Sequence, residues 1–162
     1  MHPRAALPLI ALLLVTACAT GPRFETTGVA TDLTPRGAAL RFDEVRAERV
    51  LWGGIIVDST HPRQGTRLEV LAFPLENQSP QTQQAPLGRF LVIEPGYLET
   101  ADYAPGRRVT VVGRLGELRQ GRIGEAEYTY PVVRADDIHL WPRETAAAEP
   151  RVHFGFGVIF NR

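Results

Sequence analysis

The sequence predicts an all-β protein folded as a small antiparallel barrel. Five stretches rich in β-branched and aromatic residues are separated by glycine, proline and polar residues, which is typical of short strands joined by turns. A short segment of helical character lies between the third and fourth stretches. This order of strands around one short helix is that of an OB-like barrel. A generic small antiparallel barrel or sandwich is the alternative.

The first two predicted strands are followed by a polar segment. Residues 50–57 are apolar on both faces, which predicts a central buried strand. The adjacent Gly53 and Gly54 within it predict a bulge or a sharp bend. A second strand is expected over residues 67–73. The segment 76–88, rich in Gln, Ser, Pro and Asn, predicts a mobile loop between paired strands.

Three further strand segments surround the predicted helix. Residues 88–93 predict the third strand, and residues 97–101 can form one or two helical turns. Residues 107–115 form the most regular strand pattern in the chain and predict the fourth strand. After a glycine-containing turn, residues 128–133 and 138–141 predict the closing strand or strands.

The start of the chain resembles the leader of a bacterial lipoprotein. Arg4 precedes an apolar run over 5–15 that is shorter than the roughly 20 residues of a membrane-spanning helix. The residues Val15-Thr16-Ala17-Cys18 resemble a lipobox, in which the cysteine carries lipid. We therefore expect a lipoprotein signal peptide over 1–17, cleavage before Cys18, and acyl chains that hold the protein to a membrane.

Three segments follow the expected signal peptide. Residues 18–40 contain many Thr, Gly and Pro and predict a lipidated tether with a few ordered contacts, in which Phe24 and Leu33 can dock. Residues 41–142 are expected to form the barrel domain, and residues 143–162 a linker and an apolar C-terminal strand. That strand can dock on its own barrel, on another chain or on the membrane. Ala19, rather than Asp, follows the cysteine and resembles a signal for export to the outer membrane. The apolar face of the C-terminal strand consists of Val152, Phe154, Phe156, Val158 and Phe160.

Charge and cysteine content narrow the functional classes. The chain has 18 basic and 18 acidic side chains, and the leader removes only Arg4, so the mature protein has a formal charge of −1. This balance argues against nucleic acid as a partner, because nucleic-acid-binding proteins carry a clear positive excess. All the basic residues are Arg, and in the sequence they are scattered without an evident patch. With Cys18 used for lipid, no disulfide is expected and the fold depends on packing.

The sequence contains no pattern that predicts catalysis. Asp137 and His139 share one face of a predicted strand, but no third metal ligand lies at a recognisable spacing. Neither a nucleophile elbow nor a phosphate-binding loop is present. We therefore expect no enzyme activity, no catalytic residues, no metal and no cofactor.

One group of side chains is a candidate for binding. OB-like barrels bind oligosaccharides and oligonucleotides across aromatic faces. The alternative is that the same rings fill the core and close the ends of the barrel. The candidate ligand face consists of Trp52, Tyr97, Tyr103, Tyr128, Tyr130 and Trp141.

Several motifs resemble the Slp family of Gram-negative outer-membrane lipoproteins, a family first associated with starvation and stationary phase. The resemblance covers about residues 18–142 and implies a lipid-anchored protein that faces the periplasm. It implies no catalytic residue. The motifs are Trp52-Gly53-Gly54-Ile55, Leu68-Glu69-Val70-Leu71 with Pro74-Leu75, Gly88-Arg89-Phe90, Tyr103-Ala104-Pro105-Gly106-Arg107 with Val109-Thr110-Val111, and Tyr130-Pro131-Val132-Val133 with Leu140-Trp141.

Two functional hypotheses follow. The first is a non-catalytic envelope protein with a structural role or a role in adaptation to stress or starvation, with an envelope protein as a partner. The second is a periplasm-facing module that binds an envelope glycan or a small ligand. A binding module should present an exposed, concave aromatic cluster, whereas a structural protein should bury its aromatic side chains.

Overall fold

A computed structural model describes residues 24–62 and 65–143 of the 162-residue chain. These residues begin with two short helices, α1 (Pro35–Leu40) and α2 (Phe42–Val45). Strands make up most of the remainder. They are β1 (Arg49–Thr60), β2 (Thr66–Phe73), β3 (Leu75–Glu76), β4 (Ser79–Pro80), β5 (Gly88–Glu94), β6 (Arg108–Ile123) and β7 (Ala126–Leu140).

Five of these strands close a barrel in the order β1-β2-β5-β7-β6, with β6 paired back to β1. Neighbouring strands are antiparallel except β5 and β7, which run parallel over three residue pairs. The predicted all-β, OB-like barrel is therefore confirmed, with one parallel pairing that the sequence did not predict. The two segments expected to close the barrel form one continuous strand, β7.

The barrel interior is filled by alternate residues of each strand. In β2, Leu68 and Val70 are fully buried, whereas Glu69 between them is partly exposed. Trp52 of β1 and Phe90 of β5 meet edge to face, with ring centroids 5.2 Å apart. Burial of each large apolar side chain contributes about 1.5–3 kcal/mol to the hydrophobic driving force.

Gly53 and Gly54 of β1 lie where neighbouring strands approach closely. The bulge predicted at this position is not formed. Gly53 and Gly54 pair regularly with β2, and the bulge lies further along β1, between Ile56 and Asp58. A Cβ atom on Gly54 would overlap the carbonyl oxygen of Leu71. Glycine is therefore required here by backbone proximity.

The helix predicted over 97–101 is not formed. A single turn is closed at Glu99, whose carbonyl accepts a hydrogen bond from the N–H of Tyr103 at 3.0 Å. Beside it, the N–H of Leu98 donates to the hydroxyl of Thr66 at 2.9 Å. Because a helix this short gains little from its own hydrogen bonds, tertiary bonds to β2 determine the backbone path.

The segment 24–40, predicted as part of the tether, instead packs on the barrel. Phe24 and Leu33 are buried, and the indole N–H of Trp52 donates to the carbonyl of Leu33 at 2.6 Å. The hydroxyl of Thr34 caps α1 by accepting a hydrogen bond from a backbone N–H in its first turn. Phe24 and Leu33 are the residues expected to dock, but helix α1 was not predicted in this segment because its apolar residues follow no helical period.

The predicted mobile loop 76–88 also contains regular structure. Strands β3 and β4 form a tight hairpin whose central residues, Asn77 and Gln78, both have positive φ angles, as a type I′ turn requires. The side-chain amide of Gln78 both accepts from the backbone N–H of Phe24 (2.8 Å) and donates to its carbonyl (3.1 Å). The hairpin therefore fastens the N-terminal segment to the barrel.

Candidate functional site

An arm of two strands extends beyond the barrel. Strands β6 and β7 stay paired as far as Ile123 and Ala126, whereas β1 pairs with β6 only up to Arg114. We call residues 117–123 and 126–132 the arm. Contacts described below bring it against the outer surface of β2 and β5.

A second apolar cluster, separate from the barrel interior, lies where the arm meets β5. Leu91 of β5 is paired with Val132 of β7, and both side chains are buried together with Tyr130. Ile93, Ile123 and Tyr128 surround this cluster and are partly buried. An outer barrel surface of this kind would normally be polar, so the arm provides the cover that keeps these residues from water.

Glu69 connects β2, β5 and the arm. Its Oε1 accepts from the guanidinium of Arg89 at 2.6 Å and from the hydroxyl of Tyr130 at 3.2 Å. The hydroxyl of Tyr128 accepts from the backbone N–H of Arg89 at 2.8 Å, and the rings of Tyr128 and Tyr130 meet edge to face. Burial, followed by the nearby Glu69 carboxylate, raises the pKa of Tyr130, so its phenol remains a donor.

A groove runs along the outer surface beside the arm. Its larger part has a volume of about 480 Å³ and includes Ile93, Val132 and Arg134. A smaller part of about 160 Å³ includes Arg67, Glu69 and Tyr130, and Arg119 lines both parts. We call this feature the groove. Its floor is apolar and its edges carry arginine, an arrangement that suits an anionic ligand with apolar groups.

The six aromatic residues predicted as a ligand face lie in separate parts of the molecule. Trp52 is inside the barrel and 6% exposed, Tyr103 packs against the barrel core, and Tyr128 and Tyr130 lie on the arm. Among the described residues, Tyr128 and Tyr130 are the two members of this set whose rings are in contact.

The remaining two members of the set lie at other positions. Tyr97 is 69% exposed and stacks on the ring of His61, with centroids 4.5 Å apart. Trp141 donates from its indole N–H to the hydroxyl of Thr110 at 2.9 Å and meets His139 edge to face. Tyr97 is therefore the exposed ring of the set, and Trp141 is tied to the barrel.

The described residues contain no group of three or more His, Cys, Asp or Glu side chains able to hold a metal ion. The carboxylate of Asp137 accepts from the backbone N–H of Ile138 at 2.8 Å. Burial lowers the pKa of His139, and the charge of Asp137 opposes this effect only in part. His139 is therefore mostly neutral at neutral pH, packed against Trp141.

Another cavity, of about 360 Å³, lies beneath the N-terminal segment. Its lining is mainly apolar and includes Leu33, Trp52, Phe73, Leu75 and Leu87. The segment that the sequence predicted as tether forms one wall. This cavity is therefore a space between the N-terminal segment and the barrel.

Two predictions concern residues that the structure does not describe. Cys18, the expected lipid attachment site, lies outside the described ranges, as do the linker and the apolar C-terminal strand beyond Arg143. Within the described part of the chain, no helix is both long enough and apolar enough to cross a membrane.

The groove arginines were missed by the sequence prediction. Alternation within residues 67–71 and 89–93 indicates which side chains face outward, but the pairing of β2 with β5 and of β5 with β7 is not visible in the sequence. Arg67 and Arg134 are far apart in the chain, and the pairing of β2, β5 and β7 places one on each side of Ile93.

Comparison with solved structures finds single-stranded DNA-binding proteins. The mitochondrial protein Rim1 of Saccharomyces cerevisiae is 14% identical, with a TM-score of 0.38, over 58% of this chain and 94% of that one. A small single-stranded DNA-binding protein of Streptomyces coelicolor is 17% identical, with a TM-score of 0.37, over 59% of this chain and 94% of that one. Similarity at this level carries no argument about ligands, and the fold assignment stands on the strand order.

Two relatives are similar in sequence. An uncharacterized protein of Haemophilus influenzae is 37% identical over 100 residues, 60% of this chain and 54% of the relative. The uncharacterized lipoprotein YeaY of Escherichia coli is 31% identical over 91 residues, 56% of this chain and 47% of the relative. The matches thus span about half the length of these curated relatives.

A family model covers most of the chain. The model of the outer membrane lipoprotein Slp family matches residues 15–158, a range that includes Cys18, the whole barrel and most of the C-terminal segment. The resemblance found in the motifs of the sequence is thereby confirmed. The chain belongs to the Slp family of outer membrane lipoproteins.

Proposed function

We propose that this protein is anchored by lipid on Cys18, faces the periplasm, and has a non-catalytic role in the envelope during stress or starvation. The family supports the lipoprotein and outer-membrane parts of this proposal. The periplasmic orientation, the absence of catalysis and the stress role are our inferences. In this function the lipid supplies membrane affinity and the barrel supplies the surface that a partner meets.

The use of the aromatic side chains carries the structural part of the proposal. Trp52 and Tyr130 are buried, and Tyr128 and Trp141 use their polar atoms in hydrogen bonds within the fold. These rings therefore stabilise the barrel and its arm, as expected of a structural protein. Tyr97 is the exposed ring of the six.

Fractionation of bacterial membranes tests the anchor. The full-length protein should be found in the outer membrane, and a Cys18→Ser variant should be absent from it because no lipid can be attached. Ala19→Asp is the matched variant: it keeps the cysteine and should move the protein away from the outer membrane while lipid remains attached. A Cys18→Ser protein that stays in the outer membrane would contradict the anchor.

The second candidate, a binding module, is favoured by the groove. An open groove of about 480 Å³ with an apolar floor and arginine at its edges is the kind of site that holds a small ligand. Because the groove lies on β5 and the arm, it does not depend on how the chain is attached to the membrane. The two functions are compatible in one protein.

A further inference from the structure

The larger part of the groove has an apolar floor that is open to solvent. Ile93 of β5 and Val132 of β7 lie in this hollow of about 480 Å³. Val132 is buried at its base, whereas Ile93 is only partly buried, although it borders the second apolar cluster. Apolar surface exposed in a concave site is typical of a place where another segment or molecule packs.

One end of the groove lies close along the chain to the last described residue. Pro62, in the turn after β1, and Pro95, in the turn after β5, both line the groove. The guanidinium of Arg143 donates to the carbonyl of Ala101 at 3.5 Å. Because Ala101 belongs to the same connection that begins at Pro95, this connection leads from the groove to Arg143.

The chain beyond Arg143 is long enough to return to the groove. Ala101 is six residues from Pro95, which limits their separation to about 20 Å. The nine steps from Arg143 to Val152 span about 30 Å when the chain is extended. This leaves about 10 Å for the arginine side chain that reaches Ala101. The strand predicted over 152–160 can therefore begin beside Pro95.

The segment 152–160 has the composition that an apolar floor requires. It contains no Asp, Glu, Lys or Arg, so its docking places no formal charge over Ile93. Its apolar face has side chains at alternate positions, about 6.7 Å apart along an extended strand. The family model continues across the linker to residue 158, so most of this strand belongs to the region that the family shares.

Two physical arguments favour the same chain as the source of the strand. A linker of this length gives an effective concentration in the millimolar range, which a second copy does not reach at ordinary protein concentrations. A single strand inserted into lipid would leave its backbone N–H and C=O groups without partners, whereas a strand in an open groove keeps its outer edge in water.

We infer that residues 152–160 dock as a strand in the larger part of the groove of the same chain, with Phe154 and Phe156 packed against Ile93 and Val132. The docking is independent of the lipid anchor. It closes the part of the groove that the binding-module candidate uses, so a small ligand there has to displace the strand.

Disulfide trapping of the full-length protein in isolated cell envelopes tests the docking. Cys18 is the only natural cysteine and is expected to carry lipid, so engineered cysteines supply the free thiols. Ile93→Cys is combined in turn with Phe154→Cys and with Phe156→Cys, and the envelopes are oxidised with copper phenanthroline. At least one pair should form an intramolecular disulfide in the majority of molecules, detected as a linked peptide that is lost on reduction.

A matched pair uses an exposed position outside the groove. Arg41→Cys, between α1 and α2, combined with Phe156→Cys should form at least tenfold less disulfide than the groove pair. Because Ile93→Cys removes part of the floor, Arg119→Cys, an exposed position in the lining, provides a second groove pair with Phe156→Cys.

A readout without engineered cysteines follows stability. Phe154→Ser combined with Phe156→Ser should lower the Tm of the full-length protein by at least about 3 °C, because two buried rings are lost. His153→Ser lies on the opposite face of the strand and should leave the Tm unchanged.

The outcomes decide between the occupants of the groove. An intramolecular disulfide at the groove with little at Arg41, together with the lower Tm of the phenylalanine variant, supports the docking. A disulfide-linked dimer assigns the strand to a second copy and overturns it. Equal trapping at Arg41, no trapping at either groove position, or an unchanged Tm also overturns it. Each of these results leaves the anchor untouched, since fractionation of Cys18→Ser tests the anchor separately.

Discussion

Replacement of Trp52 by Phe should weaken both the barrel and its attachment to the N-terminal segment. The indole N–H donates to the carbonyl of Leu33 at 2.6 Å in a buried position. Loss of the donor leaves that carbonyl without this bond, which costs about 1–3 kcal/mol. The smaller ring also leaves a gap beside Phe90, so the free energy of unfolding should fall by about 2–4 kcal/mol in total.

Denaturant unfolding followed by the fluorescence of Trp141 measures this change, and Trp141→Phe, followed by the fluorescence of Trp52, is the matched control. Trp141 is half-buried, and its partner Thr110 also donates to the carbonyl of Gln78 at 2.7 Å, so the control should cost less than about 1 kcal/mol. Hydrogen exchange should accelerate at the amide of Leu33 in the Trp52 variant. An equal cost for both variants would refute the assigned role of Trp52.

Three further predictions concern the strand contacts and the titrating groups. Gly54→Ala should destabilise the protein by at least about 1–3 kcal/mol because its Cβ would overlap the carbonyl of Leu71, whereas Gly96→Ala should cost little; chemical denaturation measures both. Because the pKa of His139 is lowered in the folded state, the contribution of the neutral side chain to folding stability is fully present above about pH 6.5 and is lost as the pH falls through the folded-state pKa. His139→Gln should therefore flatten the dependence of Tm on pH in this range, and an unchanged profile would contradict this. The raised pKa of Tyr130 means that its stabilising contribution is present below about pH 10 and is lost as the pH rises through the folded-state value. Burial also raises the pKa of Tyr103, so ultraviolet titration of Tyr130→Phe should lose one of two late-ionising phenols. A profile that keeps both would exclude Tyr130 as one of them.

The barrel could be predicted because each strand carries its own local signal. Segments such as 50–57 and 107–115 are apolar and β-branched enough to be recognised alone, and glycine or proline marks their ends. Their order was then sufficient for an OB-like arrangement. The pairing of β5 with β7 in parallel involves residues far apart in sequence, so no local pattern reports it.

The errors occurred where tertiary contacts override local preference. Residues 97–101 have helical propensity, but a backbone bond to Thr66 fixes Leu98 in a turn. The segment 24–40 has no periodic pattern, yet Leu33 accepts a hydrogen bond from Trp52 and Phe24 forms two hydrogen bonds with Gln78. Such contacts are specific to this fold and leave no signature in composition.

The groove illustrates the same limit for function. Each arginine is unremarkable in the sequence, where all basic residues are Arg and no cluster is evident. The positions of Arg67 and Arg134 on either side of Ile93 follow only from the register of β2, β5 and β7. The aromatic candidates were chosen by residue type, and the structure places them in the core, on the arm and in a turn.

Mass spectrometry of the N-terminal peptide of the membrane-extracted protein tests the central claim most directly. The account predicts that the mature chain begins at Cys18 and that this residue carries the mass of a diacylglycerol and an additional acyl chain. The Cys18→Ser protein should lack this modified peptide. A mature protein with an unmodified Cys18 thiol, or one that retains residues 1–17, would contradict the anchor on which the proposed function depends.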